Sequence, residues 1–207
     1  MNSKSQIDGA FVLILTIGVF LGSTAWAHIP IPPKMPDAIG RRVVKIPVPD
    51  FKLKDQNGKP FDFAQARGKL VLVTFIFTTC PDVCPLLTAH FAAIQRTLKA
   101  GKNRDYLLLS ITTDPEIDTA SKLRDYGDRY KADFSHWSFL TGSRAELAKV
   151  WKDFGVNVIK NQSGQVQHTT FTTLIDRQGE RRVDYYGDKW REKEVLQDME
   201  WLRKQTH

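Results

Sequence analysis

An uncharged run of eight residues, 70–77 (LVLVTFIF), constrains the fold of this chain more than any other feature. Its side chains are aliphatic, β-branched or aromatic with one threonine, and no alternation of polar and apolar residues interrupts them. A strand of this kind needs cover on both faces, as strands have in the centre of a parallel sheet. We therefore expect residues 70–77 to form the central strand of an α/β domain.

Segments with strand and helix patterns alternate after this run. The predicted helices are residues 85–98, 116–130 and 143–154, and the predicted strands between them are 106–111 and 137–140. Ser143 and Glu146 have the spacing of a capping box at the start of the third helix. Regular alternation of this kind predicts a parallel α/β sheet.

Two antiparallel hairpins are predicted on either side of this alternating region. Residues 51–63 (FKLKDQNGKPFDF) hold an Asn-Gly turn between two short alternating runs. Strands at 170–175 and 181–186 are joined by a turn sequence, and an amphipathic helix at 190–203 follows. A β-α-β half followed by a β-β-α half is the plan of a thioredoxin-like domain. We expect one such α/β domain with an N-terminal hairpin extension.

The amino terminus has the pattern of an export segment. Residues 9–22 are uncharged and mostly apolar, and residues 23–27 (STAWA) end in a small-x-small pattern. This predicts a signal peptide over residues 1–27, cut after Ala27. Because residues 9–27 would span about 28 Å as a helix, an uncleaved membrane anchor is the alternative. Either way the domain is expected to be exported, in the periplasm or at the outer face of the cytoplasmic membrane.

A proline-rich stretch follows the export segment. Six of the ten prolines lie between Pro30 and Pro49, and no helical period is visible there. We expect residues 28–48 to be a partly extended linker and residues 49–207 to be the folded domain.

The net charge of +7 does not select a partner by itself. Basic residues are scattered among acidic ones, as on a solvated surface, rather than gathered into a patch for nucleic acid. Together with export, this excludes nucleic acid from the expected partners.

The two cysteines of the chain, Cys80 and Cys84, follow the central strand directly in TTCPDVCP. The carboxyl ends of strands in an open α/β sheet border the crevice where chemistry is found. We expect Pro85 to be the first residue of the next helix, because it lacks an amide proton. Cys84 would then lie at a helix amino terminus, where a thiolate is favoured. The spacing allows a disulfide or chelation of a soft ion, Cu(I) with Zn(II) as competitor.

An imidazole commonly completes a site of this kind, and the chain has five histidines. His168 comes just before the strand 170–175, and in a thioredoxin-like domain the loop entering that strand faces the cysteine loop. We therefore predict His168 as the third ligand. The others are expected at termini, on a helix surface or at the core edge: His28, His207, His90 and His136. Thr113 or Asp114 is expected to cap the helix that follows them.

Several motifs occur in a fixed order along the chain. They are Arg67-Gly68-Lys69, Cys80-Pro81-Asp82-Val83-Cys84-Pro85, Thr113-Asp114-Pro115-Glu116-Ile117-Asp118-Thr119, Leu140-Thr141-Gly142, and Val166-Gln167-His168 before Leu174-Ile175-Asp176. With these motifs, residues 49–188 resemble the Sco/SenC family of copper-binding assembly proteins. The resemblance implies a thioredoxin-like fold and one copper ion, Cu(I) or Cu(II), held by Cys80, Cys84 and His168.

The chain departs from the family pattern beside the histidine. Gln167 stands where an acidic residue is common, and Thr169 stands where Ser is usual.

The resemblance also implies a function. It implies delivery of copper to the dinuclear copper site of cytochrome c oxidase, with the copper-accepting subunit of that oxidase as partner. An exported thiol reductant is expected as well, because both cysteines must be reduced to bind metal. The alternative is a thiol–disulfide oxidoreductase that uses Cys80 and Cys84 as a redox pair on an exported protein. Replacement of His168 separates the two, since only the chaperone depends on it.

Overall fold

A computed structural model of the protein describes residues 40–162 and 164–205. The predicted signal or anchor segment and most of the predicted linker lie outside these residues. Within the described part, no helix is both long enough and apolar enough to cross a membrane.

The described residues form ten strands, four α-helices and one 3-10 helix. The strands are β1 (Arg41–Pro47), β2 (Lys52–Lys54), β3 (Pro60–Asp62), β4 (Leu70–Ile76), β5 (Tyr106–Thr112), β6 (Trp137–Leu140), β7 (Val158–Lys160), β8 (Val166–His168), β9 (Phe171–Ile175) and β10 (Glu180–Tyr186). The helices are the 3-10 helix Phe63–Ala66, α1 (Val83–Ala100), α2 (Ala120–Arg129), α3 (Arg144–Phe154) and α4 (Glu192–Lys204).

Six strands form one mixed sheet in the order β1-β10-β9-β4-β5-β6. Strands β4, β5 and β6 are parallel, whereas β9 is antiparallel to both β4 and β10. Every residue of β4 and β5 is buried, which confirms the prediction of a central strand covered on both faces. The sheet therefore has the β-α-β and β-β-α halves of a thioredoxin-like fold.

Alternate residues of β4 point into two separate cores. Leu72 lies in one core with side chains from α1, α2 and α4. Val73 lies in the other, with side chains from α3 and from the hairpin β2–β3. Burial of each large apolar side chain contributes roughly 1.5–3 kcal/mol before the entropy cost of folding. The sheet is thus held between two layers, and the loops at its carboxyl edge rest on a rigid base.

The N-terminal hairpin is confirmed, with β2 and β3 paired antiparallel. The predicted linker is wrong in its last part, because β1 lies within residues 28–48 and pairs with β10. This strand is at the sheet edge and mostly exposed, so it lacks the alternating pattern that marks a half-buried strand. The folded domain therefore includes β1, which lies before the predicted boundary at residue 49.

Three helices begin elsewhere than predicted, since α4 begins at Glu192 rather than at residue 190. Helix α1 begins at Val83, with Pro85 as its third residue. A proline is tolerated there because amide groups of the first turn have no partner within the helix. Helix α2 begins at Ala120, where the side chain of Thr119 accepts from the amide of Lys122. The expected cap at Asp114 is therefore wrong.

Candidate metal centre

The cysteine loop follows β4 at the carboxyl edge of the sheet, as predicted. Cys80 is partly exposed in this loop, and its amide donates to the carbonyl of Phe77 at 3.2 Å. Cys84 lies in the first turn of α1 with no exposed surface. Both cysteines are free thiols in the structure.

A buried carboxylate anchors the start of this loop. Asp118 has no exposed surface and accepts hydrogen bonds from the amide and hydroxyl of Thr78, the latter at 2.5 Å. It also accepts from the hydroxyl of Thr112 at 2.6 Å, at the end of β5. Burial raises the pKa of Asp118, whereas these hydrogen bonds lower it. Asp118 thereby ties the cysteine loop to the neighbouring strand, a role that the sequence analysis did not assign.

His168 is brought to the cysteines by a hairpin that the sequence analysis did not predict. It is the last residue of β8, which pairs antiparallel with β7. Its Nδ1 lies 2.9 Å from the carbonyl oxygen of Thr169. Because a carbonyl only accepts, Nδ1 carries the proton in this contact, and Nε2 is left with its lone pair. Nε2 lies 3.9 Å from Sγ of Cys84.

Burial sets the protonation of both groups. Burial raises the pKa of Cys84, and the neighbouring Cys80 raises it further, while the Phe77 amide partly opposes them. The expectation that the helix start favours a Cys84 thiolate is therefore wrong for the metal-free site, where desolvation outweighs the helix dipole. Burial also lowers the pKa of His168. Both groups are thus neutral near pH 7, and a bound cation would favour the thiolate.

The spacing of Cys84 and His168 suits one shared ion. Metal–sulfur and metal–imidazole bonds of about 2.3 and 2.0 Å allow a single ion to bond two atoms 3.9 Å apart. The thiol of Cys80 contacts that of Cys84, but in the described part of the chain the three predicted ligands do not form one cluster. Among the described residues, no three His, Cys, Asp or Glu side chains form a group that could hold a metal ion. The complete ligand set stays a prediction.

Two other histidines, His90 and His136, lie within the described residues and have other surroundings. Nδ1 of His90 lies 2.8 Å from Oε1 of Glu192. His136 precedes β6, at the opposite edge of the sheet from the cysteine loop. His28 and His207 lie outside the described residues.

A cleft of about 490 Å³ opens beside the site. Its walls come from the cysteine loop, from the segment after β5 and from the hairpin β7–β8. The lining residues are Phe77, Thr79, Pro81, Asp114, Gly164, Gln165, Val166 and Gln167. The candidate site thus borders open space where another molecule can approach.

The fold and site define a thioredoxin-like domain with a thiol–imidazole pair at the carboxyl edge of its sheet. The SCO1/SenC family model matches residues 42–204, and the chain belongs to this family.

Individual relatives agree with this assignment. The chain is 33% identical over 157 residues to a SCO1 protein homolog of Bacillus subtilis, covering 72% of this chain and 81% of the relative. It is similar to the structure of BsSco, a member of the Sco family of cytochrome c oxidase assembly proteins in which a disulfide switch is identified, with 29% identity and a TM-score of 0.69. That match covers 79% of this chain and 97% of BsSco.

A third similar structure is that of Bradyrhizobium japonicum ScoI with copper bound. The identity is 29% and the TM-score 0.64, and the match covers 75% of this chain and 98% of ScoI.

Proposed function

We propose that this protein is an exported copper chaperone that binds one copper ion and helps to assemble the dinuclear copper site of a cytochrome c oxidase. Cys80, Cys84 and His168 would be the ligands. The observation that carries the proposal is the pairing of Cys84 Sγ with the unprotonated Nε2 of His168 at 3.9 Å.

The chemistry of the donors supports copper. Two thiols and an imidazole are soft to borderline ligands that suit Cu(I), with Zn(II) as competitor. The copper-bound ScoI structure shows that a similar protein holds this metal. Copper is cargo here, so the site must also release it.

The exposure of the ligands suggests how release occurs. Cys84 is buried, whereas Cys80 is partly exposed beside the cleft. A thiol of the copper-accepting subunit would enter at this side, bond the ion and displace Cys80 first. Each new ligand bond then replaces an old one, so the ion is never left without ligands. Cys80 and Cys84 must be reduced before they can bind copper, so the proposal requires an exported thiol reductant.

A second function is favoured by the contact between the two thiols. In a thiol–disulfide exchange, the Cys80 thiolate attacks a partner disulfide and releases one partner thiol. The Cys84 thiolate then attacks the mixed disulfide and releases the second, leaving a Cys80–Cys84 disulfide. Two electrons pass from the cysteine pair to the partner. The disulfide switch identified in BsSco supports this alternative.

Anaerobic Cu(I) titration of the full reduced chain tests the proposal. Native protein should bind one copper, and Cys80→Ser, Cys84→Ser and His168→Ala should each weaken binding. His136→Ala is the matched control, because it removes an imidazole at the opposite edge of the sheet. A native chain that exchanges disulfides without retaining copper would favour the oxidoreductase. Copper binding that is unchanged in His168→Ala would overturn the ligand assignment.

A further inference from the structure

The hairpin that carries His168 is not part of the central sheet. In the described part of the chain, β7 and β8 pair only with each other, from Val158 opposite His168 to Lys160 opposite Val166. The base of the hairpin is closed where the Thr169 amide donates to the carbonyl of Asn157 at 3.1 Å. The position of His168 therefore depends on side chains that hold the hairpin to the domain.

A cleft separates the outer part of the hairpin from the cysteine loop. Residues 164–167 of the hairpin form one wall of the cleft, and Phe77, Thr79 and Pro81 belong to the other side. The two sides meet at the base of the hairpin, where the imidazole of His168 packs edge-on against Phe77 with 5.8 Å between the ring centroids. Val158 packs against the core at the base of the hairpin, and Val166 in its outer part is buried.

One ion pair joins the outer part of the hairpin to the domain. Nζ of Lys160, the last residue of β7, lies 2.8 Å from Oδ1 of Asp114. Asp114 is on the segment after β5, at the same sheet edge as the cysteine loop. Glu116 adds a second carboxylate 3.5 Å from the same ammonium group and is itself paired with Arg144.

The acidic partner is fixed and buried. The side chain of Asp114 is 4% exposed, and that of Lys160 is 26% exposed. The Asp114 amide donates to the hydroxyl of Thr112 at 2.9 Å, and its carbonyl accepts from the amide of Asp118 at 2.8 Å. The hydrogen bond to Asp114 raises the pKa of Lys160, so the ammonium group stays charged at neutral pH. A carboxylate buried this far needs its cation, because removal of one partner leaves an uncompensated charge.

We propose that the ion pair between Lys160 and Asp114 positions the hairpin β7–β8, and with it Nε2 of His168, for copper binding beside Cys84. Lys160 and Asp114 are positioning residues: they act through His168 and do not bond the metal. This inference rests on the proposed function, in which His168 is a copper ligand.

Lys160→Met is the main test, because it keeps the length of the side chain and removes the charge at a partly exposed position. Supporting contacts around metal ligands typically affect affinity by about 10–100-fold, and we expect Lys160→Met to weaken Cu(I) binding by that factor. Lys160→Arg keeps the cation and should bind within about threefold of native protein. Lys149→Met, an exposed lysine on α3, is the matched control and should bind as native protein does.

A double-mutant cycle tests whether Asp114 is the partner through which Lys160 acts. If the two residues act as a pair, Asp114→Asn combined with Lys160→Met should bind copper no more weakly than the worse single variant. Electron paramagnetic resonance of Cu(II)-loaded protein adds a readout specific to His168. Coupling to a ligand nitrogen should weaken in Lys160→Met and be retained in Lys160→Arg.

Hydrogen exchange of the metal-free protein separates this inference from the proposed function. Amides of β7 and β8 should exchange faster in Lys160→Met than in native protein, with β4 unchanged as the internal reference. Unchanged exchange would overturn the role of the ion pair even if native protein failed to bind copper. Faster exchange together with native copper affinity would also overturn it, because the hairpin would then not control the ligand.

Discussion

At the scale of single residues, the site shows how burial changes the reactivity that a sequence position suggests. Cys84 lies in the first turn of a helix, which favours a thiolate, yet its complete burial raises its pKa. His168 is half-buried, and this burial favours the neutral form with its proton on Nδ1. The metal-free site is thus a neutral pair. Cation binding supplies the charge that makes the thiolate stable, so loss of the thiol proton accompanies metal binding.

This difference in burial predicts the order of cysteine modification. Iodoacetamide should label Cys80 before Cys84 in reduced, metal-free protein near pH 8, because Cys84 is inaccessible and its raised pKa leaves little thiolate. Mass spectrometry of peptides at successive times measures both rates. Cys84→Ser should retain the fast phase, and Cys80→Ser should lose it. Equal rates for the two thiols in native protein would contradict the prediction.

A second prediction at this scale concerns the contribution of Asp118 to stability. Asp118→Asn replaces one acceptor oxygen by a donor that faces the Thr78 and Thr112 donors, so a buried polar group loses its partner. We expect the free energy of unfolding to fall by about 1–3 kcal/mol. Denaturant unfolding measures this change. Asp125→Asn, at an exposed position on α2, should change stability by less than about 0.5 kcal/mol.

The cysteine pair and His168 could be predicted from the sequence, whereas the residues that hold them in place could not. The cysteines follow a buried strand, and the fold plan places His168 opposite them, so both inferences use local patterns. Asp118 and Lys160 act through partners 40 and 46 positions away, respectively. Such contacts exist only once the strands have been arranged in space. Asp118 could have been suspected from its place in the motif at 113–119, but no local pattern marks Lys160.

At the scale of helices and strands, capping residues explain why the start of α3 was predicted correctly and the start of α2 was not. Helix α3 begins as expected, with Ser143 and Glu146 forming a full capping box. Helix α2 was placed too early, because Asp114 and Pro115 look like a helix start. The chain instead makes a turn there, with the amide of Asp118 donating to the carbonyl of Asp114. Strands β7 and β8 were not predicted, because three residues are too few to show a period. Strands β2 and β3 are equally short and were predicted from the Asn-Gly turn between them.

Asp133 joins α1 to the segment before β6, and its contribution to stability is expected to depend on pH. Its carboxylate accepts from the hydroxyl of Ser135 at 2.6 Å and from Lys99 on α1 at 2.9 Å, and these contacts lower its pKa to about 2. A lowered carboxyl pKa contributes stability that is fully present above the unfolded pKa of about 3.9 and lost as the pH falls towards 2. We expect Asp133→Asn to reduce the free energy of unfolding by about 2 kcal/mol at pH 7.

Urea unfolding at pH 7, 5 and 3 checks this prediction. The difference between native protein and Asp133→Asn should be constant from pH 7 to 5 and smaller at pH 3. Asp128→Asn is the control, since Asp128 forms only an exposed pair with Arg124 on α2. A difference that stayed constant down to pH 3 would show that Asp133 stabilises the fold through something other than its charge.

At the scale of the whole molecule, β1 decides where the folded domain begins. Its partner β10 is about 140 residues away in sequence, so no local pattern announces the pairing. The strand carries Pro47 and exposed side chains, features of an edge strand that also suit a linker. The central strand and the order of helices could be predicted from the hydrophobic pattern alone, because buried faces require apolar residues at regular positions. An exposed edge strand requires no such pattern, so β1 could not be distinguished from a linker by its sequence.

The contact that fixes β1 supplies the last prediction. Arg41 donates from Nε to Asp198 Oδ2 at 2.9 Å and forms an ion pair with Oδ1 at 2.5 Å, and Asp198 on α4 has no exposed surface. The hydroxyl of Tyr185 donates to the same carboxylate at 2.6 Å. Arg41→Met would leave this carboxylate buried without a cation, so we expect the free energy of unfolding to fall by about 3–5 kcal/mol. Arg42→Met removes a cation from an exposed neighbour in the same strand and should cost less than about 0.5 kcal/mol.

Denaturant unfolding of the two variants tests whether β1 belongs to the folded domain or to a linker. If residues 28–48 were a linker, both substitutions would have the same small effect. If β1 belongs to the fold, only Arg41→Met destabilises it. Asp198→Asn in the Arg41→Met background should recover part of the loss, because a neutral amide in that pocket needs no cation. Failure of this second substitution to recover any stability would mean that Arg41 acts by packing rather than by compensating the buried charge.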